Sequence, residues 1–138
     1  MDLEKIIDDS GFKFLKNITF EEVTPGRFFQ KEKIDLGNGL RYFYVILMPN
    51  IESPIHDHSK EKIIETHQLL FGDGKFIIYE NNNKQEINLE LGNFHKVFSN
   101  FENTPKHKYV AGKKGSITLA IEILKKDSIG KKHYMLPQ

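Results

Sequence analysis

Turn residues cut this chain into short pieces, and that limits what it can fold into. Thr24-Pro25-Gly26, Gly37-Asn38-Gly39, Pro49-Asn50, Gly72-Asp73-Gly74, Asn81-Asn82-Asn83 and Gly112-Lys113-Lys114-Gly115 recur along it. Each supplies backbone conformations that reverse or bend a chain. The runs between them are rich in Phe, Tyr, Ile and Val, so strands are expected near 12–18, 28–34, 40–48, 63–71, 75–79, 85–91, 95–98, 108–110 and 116–124. The last run alternates most clearly: Ile117, Leu119, Ile121 and Ile123 share one face, and Thr118, Ala120 and Glu122 take the other. Helical spacing occurs only at the start, where Leu3, Ile6 and Ile7 line up and Ser10-Gly11 provides a stop.

Many short strands with frequent reversals specify an all-β fold, a single antiparallel β-barrel or jelly roll with a short N-terminal helix. At 138 residues the chain is expected to form one domain. Its parts are an N-terminal helix and strap over 1–27, a core barrel over about 28–124, and a C-terminal tail over 125–138.

Composition removes several chemistries. With no cysteine there is no disulfide, thiolate metal site or cysteine nucleophile. A net charge of +1 lacks the concentrated positive field that nucleic acid or an anionic membrane surface requires, so neither is expected as a partner. No apolar run approaches the length of a membrane helix. The acidic start Met1-Asp2-Leu3-Glu4 has the wrong sign for a targeting signal, which makes a cytoplasmic location the expectation.

The histidines are grouped. His56, His58, His67, His95 and His107 fall in one stretch of the chain. Residues two apart on a strand point the same way, so His56 and His58 can present two imidazoles to one point, and Glu65 and His67 share a face. Imidazole suits Fe, Mn, Ni, Cu and Zn. A carboxylate on the inner face of a barrel strand is costly unless it is paired or bound to a metal. The other reading of this run buries Ile64, Gln68 and Leu70 instead and leaves Glu65 in water. His107 and His95 compete to supply a further imidazole from across the barrel.

In this order the residues resemble the motifs of the cupin superfamily. The first motif runs Gly, five residues, His-x-His, a short gap, Glu, six residues, Gly. Asn50, His56, His58, Glu65 and Gly72 follow it, with Asn for the first Gly and a longer gap before Glu65; Glu61 is the rival at the shorter spacing. The second motif is matched only at its ends, by Gly92 and His107. The resemblance implies a small barrel whose mouth holds one divalent metal ion (Fe, Mn, Ni or Zn) on His56, His58, Glu65 and His107. It makes His67 a candidate acid or base beside the metal. Tyr44 is a second candidate catalytic residue. Arg41 is the candidate substrate-binding residue, suited to a carboxylate or phosphate, with ordinary packing as the alternative for both.

Within the superfamily the sequence is similar to carbohydrate-acting members, which implies a small polar metabolite as substrate. The chemistry would be of isomerase or epimerase type, with the metal as Lewis acid. Ser53-Pro54-Ile55-His56-Asp57-His58 also resembles the Fe(II)-dependent thiol dioxygenases, which use three histidines and no glutamate. A non-catalytic ligand-binding module is the third possibility, since fold does not fix function. Pairing of the apolar 116–124 strand would support a homodimer.

Overall fold

The computed structural model describes residues 3–56, 63–96 and 105–125. His58, Glu61 and all but the first residue of the expected tail lie outside the described residues. A helix, α1 (Leu3–Ser10), and a short 3-10 turn (Lys13–Asn17) precede eight strands. These are β1 (Phe20–Thr24), β2 (Arg27–Gln30), β3 (Ile34–Gly37), β4 (Leu40–Leu47), β5 (Ile63–Glu80), β6 (Asn83–Asn88), β7 (Phe94–Lys96) and β8 (Lys106–Leu124). Hydrogen bonding orders them β1-β2-β4-β8-β5-β6, with β3 also on β4 and β7 also on β5, and the strand-to-strand pairings are antiparallel.

Two expected turns are not reversals. The runs near 63–71 and 75–79 are one strand, and so are those near 108–110 and 116–124. Gly72-Asp73-Gly74 and Gly112–Gly115 are places where β5 and β8, still paired, bend together; their register shifts between Gly72 and Gly74. Gly72 has φ +83, and a Cβ there would sit 2.0 Å from the Gly115 carbonyl oxygen, so the corner needs glycine for conformation and for closeness alike. Beyond the bend, residues 50–56 run along the first half of β8 through bonds such as Ser53 N–H to Tyr109 O, 2.8 Å. The β5 and β8 halves thus serve two faces of one jelly roll.

The first expected strand, near 12–18, is also corrected. It forms the 3-10 turn, whose Leu15 is fully buried against α1. The sheet begins instead at Phe20, ahead of the Pro25-Gly26 turn. Between the two faces lies one apolar cluster, including Phe43, Val45, Leu47, Leu69, Phe76 and Ile78. A second lies outside the sheet, where Ile6, Ile7 and Leu15 cover Ile46 and Ile117. The helix ends where Ser10 Oγ donates to Ile7 O (2.6 Å) and accepts from Phe12 N–H (3.1 Å), with Gly11 at φ +79.

Candidate functional site

Strand alternation builds the site row by row. Arg41 on β4 faces Glu122 on β8, which faces Glu65 on β5. The next inward row is Phe43, Ala120 and His67. Thr118, Ala120 and Glu122, the polar face of the last strand, are therefore inside the barrel and buried. The Ile face lies outside: Ile117 is covered by α1, whereas Ile123 is 39% exposed.

These rows open onto a cavity of about 340 Å³. His56, Glu65, His67 and His107 line it, together with Arg27, Lys33, Glu122 and a wall that includes Phe29, Phe43 and Phe76. His56 and His107 come from neighbouring extended segments joined by a reciprocal backbone pair, His56 N–H to His107 O at 2.9 Å and His107 N–H to His56 O at 2.8 Å. Their ring centroids are 4.4 Å apart. Nδ1 of His56 lies 2.8 Å from Pro54 O, and Nδ1 of His107 lies 3.0 Å from Pro105 O. A carbonyl can only accept, so in both rings Nδ1 carries the hydrogen and, when neutral, Nε2 carries the lone pair. That is the tautomer a metal-binding imidazole needs.

Glu65 and His67 form a second unit. Both are buried, and His67 Nε2–H donates to Glu65 Oε1 across 2.8 Å. Nδ1 of His67 is buried and makes no hydrogen bond among the described residues. Phe76 packs edge-on against this ring at 4.9 Å. Among the described residues no three His, Asp or Glu side chains come together as a metal-binding group. His56 and His107 are the imidazole pair in view, and Oε1 of Glu65 accepts from His67.

The remaining candidates fall elsewhere. Arg41 does not line the cavity: it is buried with Nε 2.6 Å from Glu122 Oε1. Tyr44 is on the opposite face of β4, where its ring packs edge-on against Phe14 at 5.5 Å, because residues one apart alternate sides. His95 sits at the β7 edge with Nε2 accepting from Glu90 N–H (3.0 Å), so His107 and not His95 reaches the cavity.

Three cavity residues escaped the sequence reading. Lys33 has its Nζ 3.5 Å from Glu122 Oε1 and 4.0 Å from the Phe43 ring centroid. Burial is the main cause that lowers its pKa to about 8, and Glu122 opposes it. Arg27 stacks on Phe29 with its guanidinium carbon 4.7 Å from the ring centroid. Glu122 did carry a signal, as a carboxylate in the middle of the most apolar strand; Lys33 and Arg27 carried none.

No protein-family model matches the sequence, and no curated protein is similar to it. Solved structures are similar. KdgF from Halomonas sp. superposes with TM-score 0.60 at 15% identity, over 83% of this chain and 93% of that one. The cupin domain of Cnp3 from Schizosaccharomyces pombe gives 0.60 at 9% identity, over 86% and 71%. This chain has the cupin fold. Oxalate decarboxylase from Bacillus subtilis, a protein with Mn(II) centres, matches at TM-score 0.63 and 14% identity, over 80% of this cupin-fold chain but 28% of its own. No helix among the described residues is long and apolar enough to cross a membrane.

Proposed function

We propose that this cupin-fold chain is a metal-dependent enzyme acting on a small polar metabolite inside the barrel. The reaction would be proton-transfer chemistry of isomerase or epimerase type on a carbohydrate-related substrate. The observation that carries the reading is the pair His56 and His107, each with Nδ1 on a carbonyl and both lining a cavity that also holds a buried carboxylate–imidazole dyad. His56, His107 and His58 are the residues that would hold one divalent ion, and the Mn(II) centres of oxalate decarboxylase are consistent with this. Such an ion supplies Lewis acidity to a bound carbonyl. The chain's own residues supply the rest. Glu65 fixes the His67 tautomer by accepting from Nε2–H, which leaves Nδ1 as the base. His67 takes the substrate proton at Nδ1 and Glu65 stabilises the imidazolium that results. The aromatic wall excludes water and strengthens both interactions.

Elemental analysis of untagged protein tests this. Near-stoichiometric divalent metal in the wild type, lost in His56→Ala and His107→Ala, is the expected result. No metal uptake by the wild type, even with excess divalent ions, would leave a ligand-binding module without catalysis. One observation favours a second reading: the facing pair in the cavity is two imidazoles, His56 and His107, while Glu65 Oε1 accepts from His67, as a three-histidine ligand set would leave it. Iron in the purified protein together with oxygen uptake on adding small thiols would select that dioxygenase-like chemistry.

A further inference from the structure

Two polar side chains lining the cavity are left without the hydrogen-bond partners their chemistry calls for among the described residues. The Pro25-Gly26 turn, with Gly26 at φ +79, places Thr24 and Arg27 directly across from one another at the start of the β1–β2 hairpin. Both line the cavity. Thr24 Oγ1 is buried and makes no hydrogen bond among the described residues. The Arg27 side chain forms no ion pair or hydrogen bond among them either; its guanidinium lies over the face of Phe29. Lys33 completes the group from the segment before β3, sharing Glu122 with Arg41.

Charge points to the sign of what belongs there. Among the described residues Glu122 is shared by Lys33 and Arg41, and Glu65 accepts from His67, so Arg27 is the cavity cation with no carboxylate within hydrogen-bond reach. Arg27 lies over the Phe29 ring and Lys33 over the Phe43 ring, and those ring centroids are 5.6 Å apart, so the two cations share one aromatic wall of the cavity. An uncompensated charge in a half-buried, aromatic-walled cavity is costly, and a guanidinium fork is matched by a planar, singly charged oxyanion.

We propose that Arg27 and Thr24 anchor a carboxylate of the substrate, with Lys33 as the second cation. This rests on the reading of the cavity as a substrate site and names the substrate class: a small monocarboxylate. The guanidinium donates two N–H groups to the carboxylate, and the Thr24 hydroxyl donates to one of its oxygens. The site thereby takes the role that sequence alone gave to Arg41, which is spent on Glu122.

The test is an NMR titration of the full chain, as purified and after chelator treatment, with L-lactate, its uncharged analogue lactamide, and inorganic phosphate. Lactate is expected to bind at least about tenfold more tightly than lactamide, since the charge-assisted bonds are lost in the amide. Arg27→Gln should bring lactate down to the lactamide level, Arg27→Lys should recover part of the loss, and Thr24→Val should cost about threefold. Equal binding of lactate and lactamide, lactate binding unchanged in Arg27→Gln, or phosphate binding more tightly than lactate would each overturn the proposal. If Arg27→Gln does not melt cooperatively, the lactate–lactamide comparison and Arg27→Lys decide. Lactate binding that survives chelation and depends on Arg27 upholds the anchor even if no metal is found, in which case only the metal-dependent function fails. Lactate binding that vanishes with the metal and ignores Arg27 sinks the anchor alone.

Discussion

The two faces of the β4–β8–β5 sheet each bury side chains but use opposite chemistry. On the outer face Ile46 and Ile117 meet Ile6, Ile7 and Leu15, with apolar side chains throughout. On the inner face the same strands present Arg41, Glu122 and Glu65 in a row, then Phe43, Ala120 and His67. Burial there leaves Glu122 only 1% exposed. The outer face gains from area removed from water and is indifferent to which apolar side chain supplies it. The inner face gains only while every charge keeps its partner, because a buried ion without one costs more than a lost apolar contact. Stability is therefore diffuse on one side of the sheet and conditional on the other.

The sharpest way to break that comparison is to remove one member of the inner row. Arg41→Met leaves Glu122 with Lys33, whose Nζ is 3.5 Å away, in place of a guanidinium at 2.6 Å. The expected loss is about 4 kcal/mol in urea unfolding. Replacing both residues, Arg41→Met with Glu122→Met, should cost clearly less than the single change, because the carboxylate that loses its guanidinium is gone as well. A double variant as unstable as Arg41→Met would mean that the pair itself, and not the under-compensated carboxylate, sets the loss.

On the outer face, Leu15→Ala should cost about 3 kcal/mol, a transfer term plus the cavity left under α1. Since this face shares no side chain with the cavity, metal content and lactate binding should not change. A Leu15→Ala protein that folds but loses either would show that the two faces are coupled.

What could be read in advance follows the same division. Local signals were sufficient where local conformation decides: Gly37-Asn38-Gly39 and Asn81-Asn82 do turn the chain, with Asn38, Asn81 and Asn82 all at positive φ. Gly72-Asp73-Gly74 has the same local signature, yet what it becomes depends on pairing with Gly115 and Ser116 far along the chain. The run Phe12–Ile18 alternates like a strand, but Leu15 is drawn under α1 and tertiary packing overrides the pattern. At the site, spacing two apart correctly put Glu65 and His67 on one inward face. It could not say that they bond to each other, nor that Arg27, just past a Pro-Gly turn, would enter the cavity in place of Arg41. Burial of a charge is a property of the assembled barrel, and a single strand's sequence does not carry it.

The smallest effect expected is a pH dependence that belongs to the inner face alone. Lys33 gives up its proton near pH 8 in the folded chain and near 10.5 when unfolded. Between those values the unfolded chain binds more protons, so stability rises with pH. The gain is about 2 kcal/mol from pH 8 to 10, chiefly the relief of a buried charge. Tyr109 works in the reverse direction at higher pH: burial pushes it up to about 12, so the folded chain holds its proton longer and stability falls above pH 10. The window from 8 to 10 therefore isolates Lys33. Urea midpoints measured across that window should climb in the wild type and stay flat in Lys33→Met, whatever the absolute stability of the variant. If both proteins show the same slope, the rise comes from another group and Lys33 is better hydrated than its place over Phe43 implies.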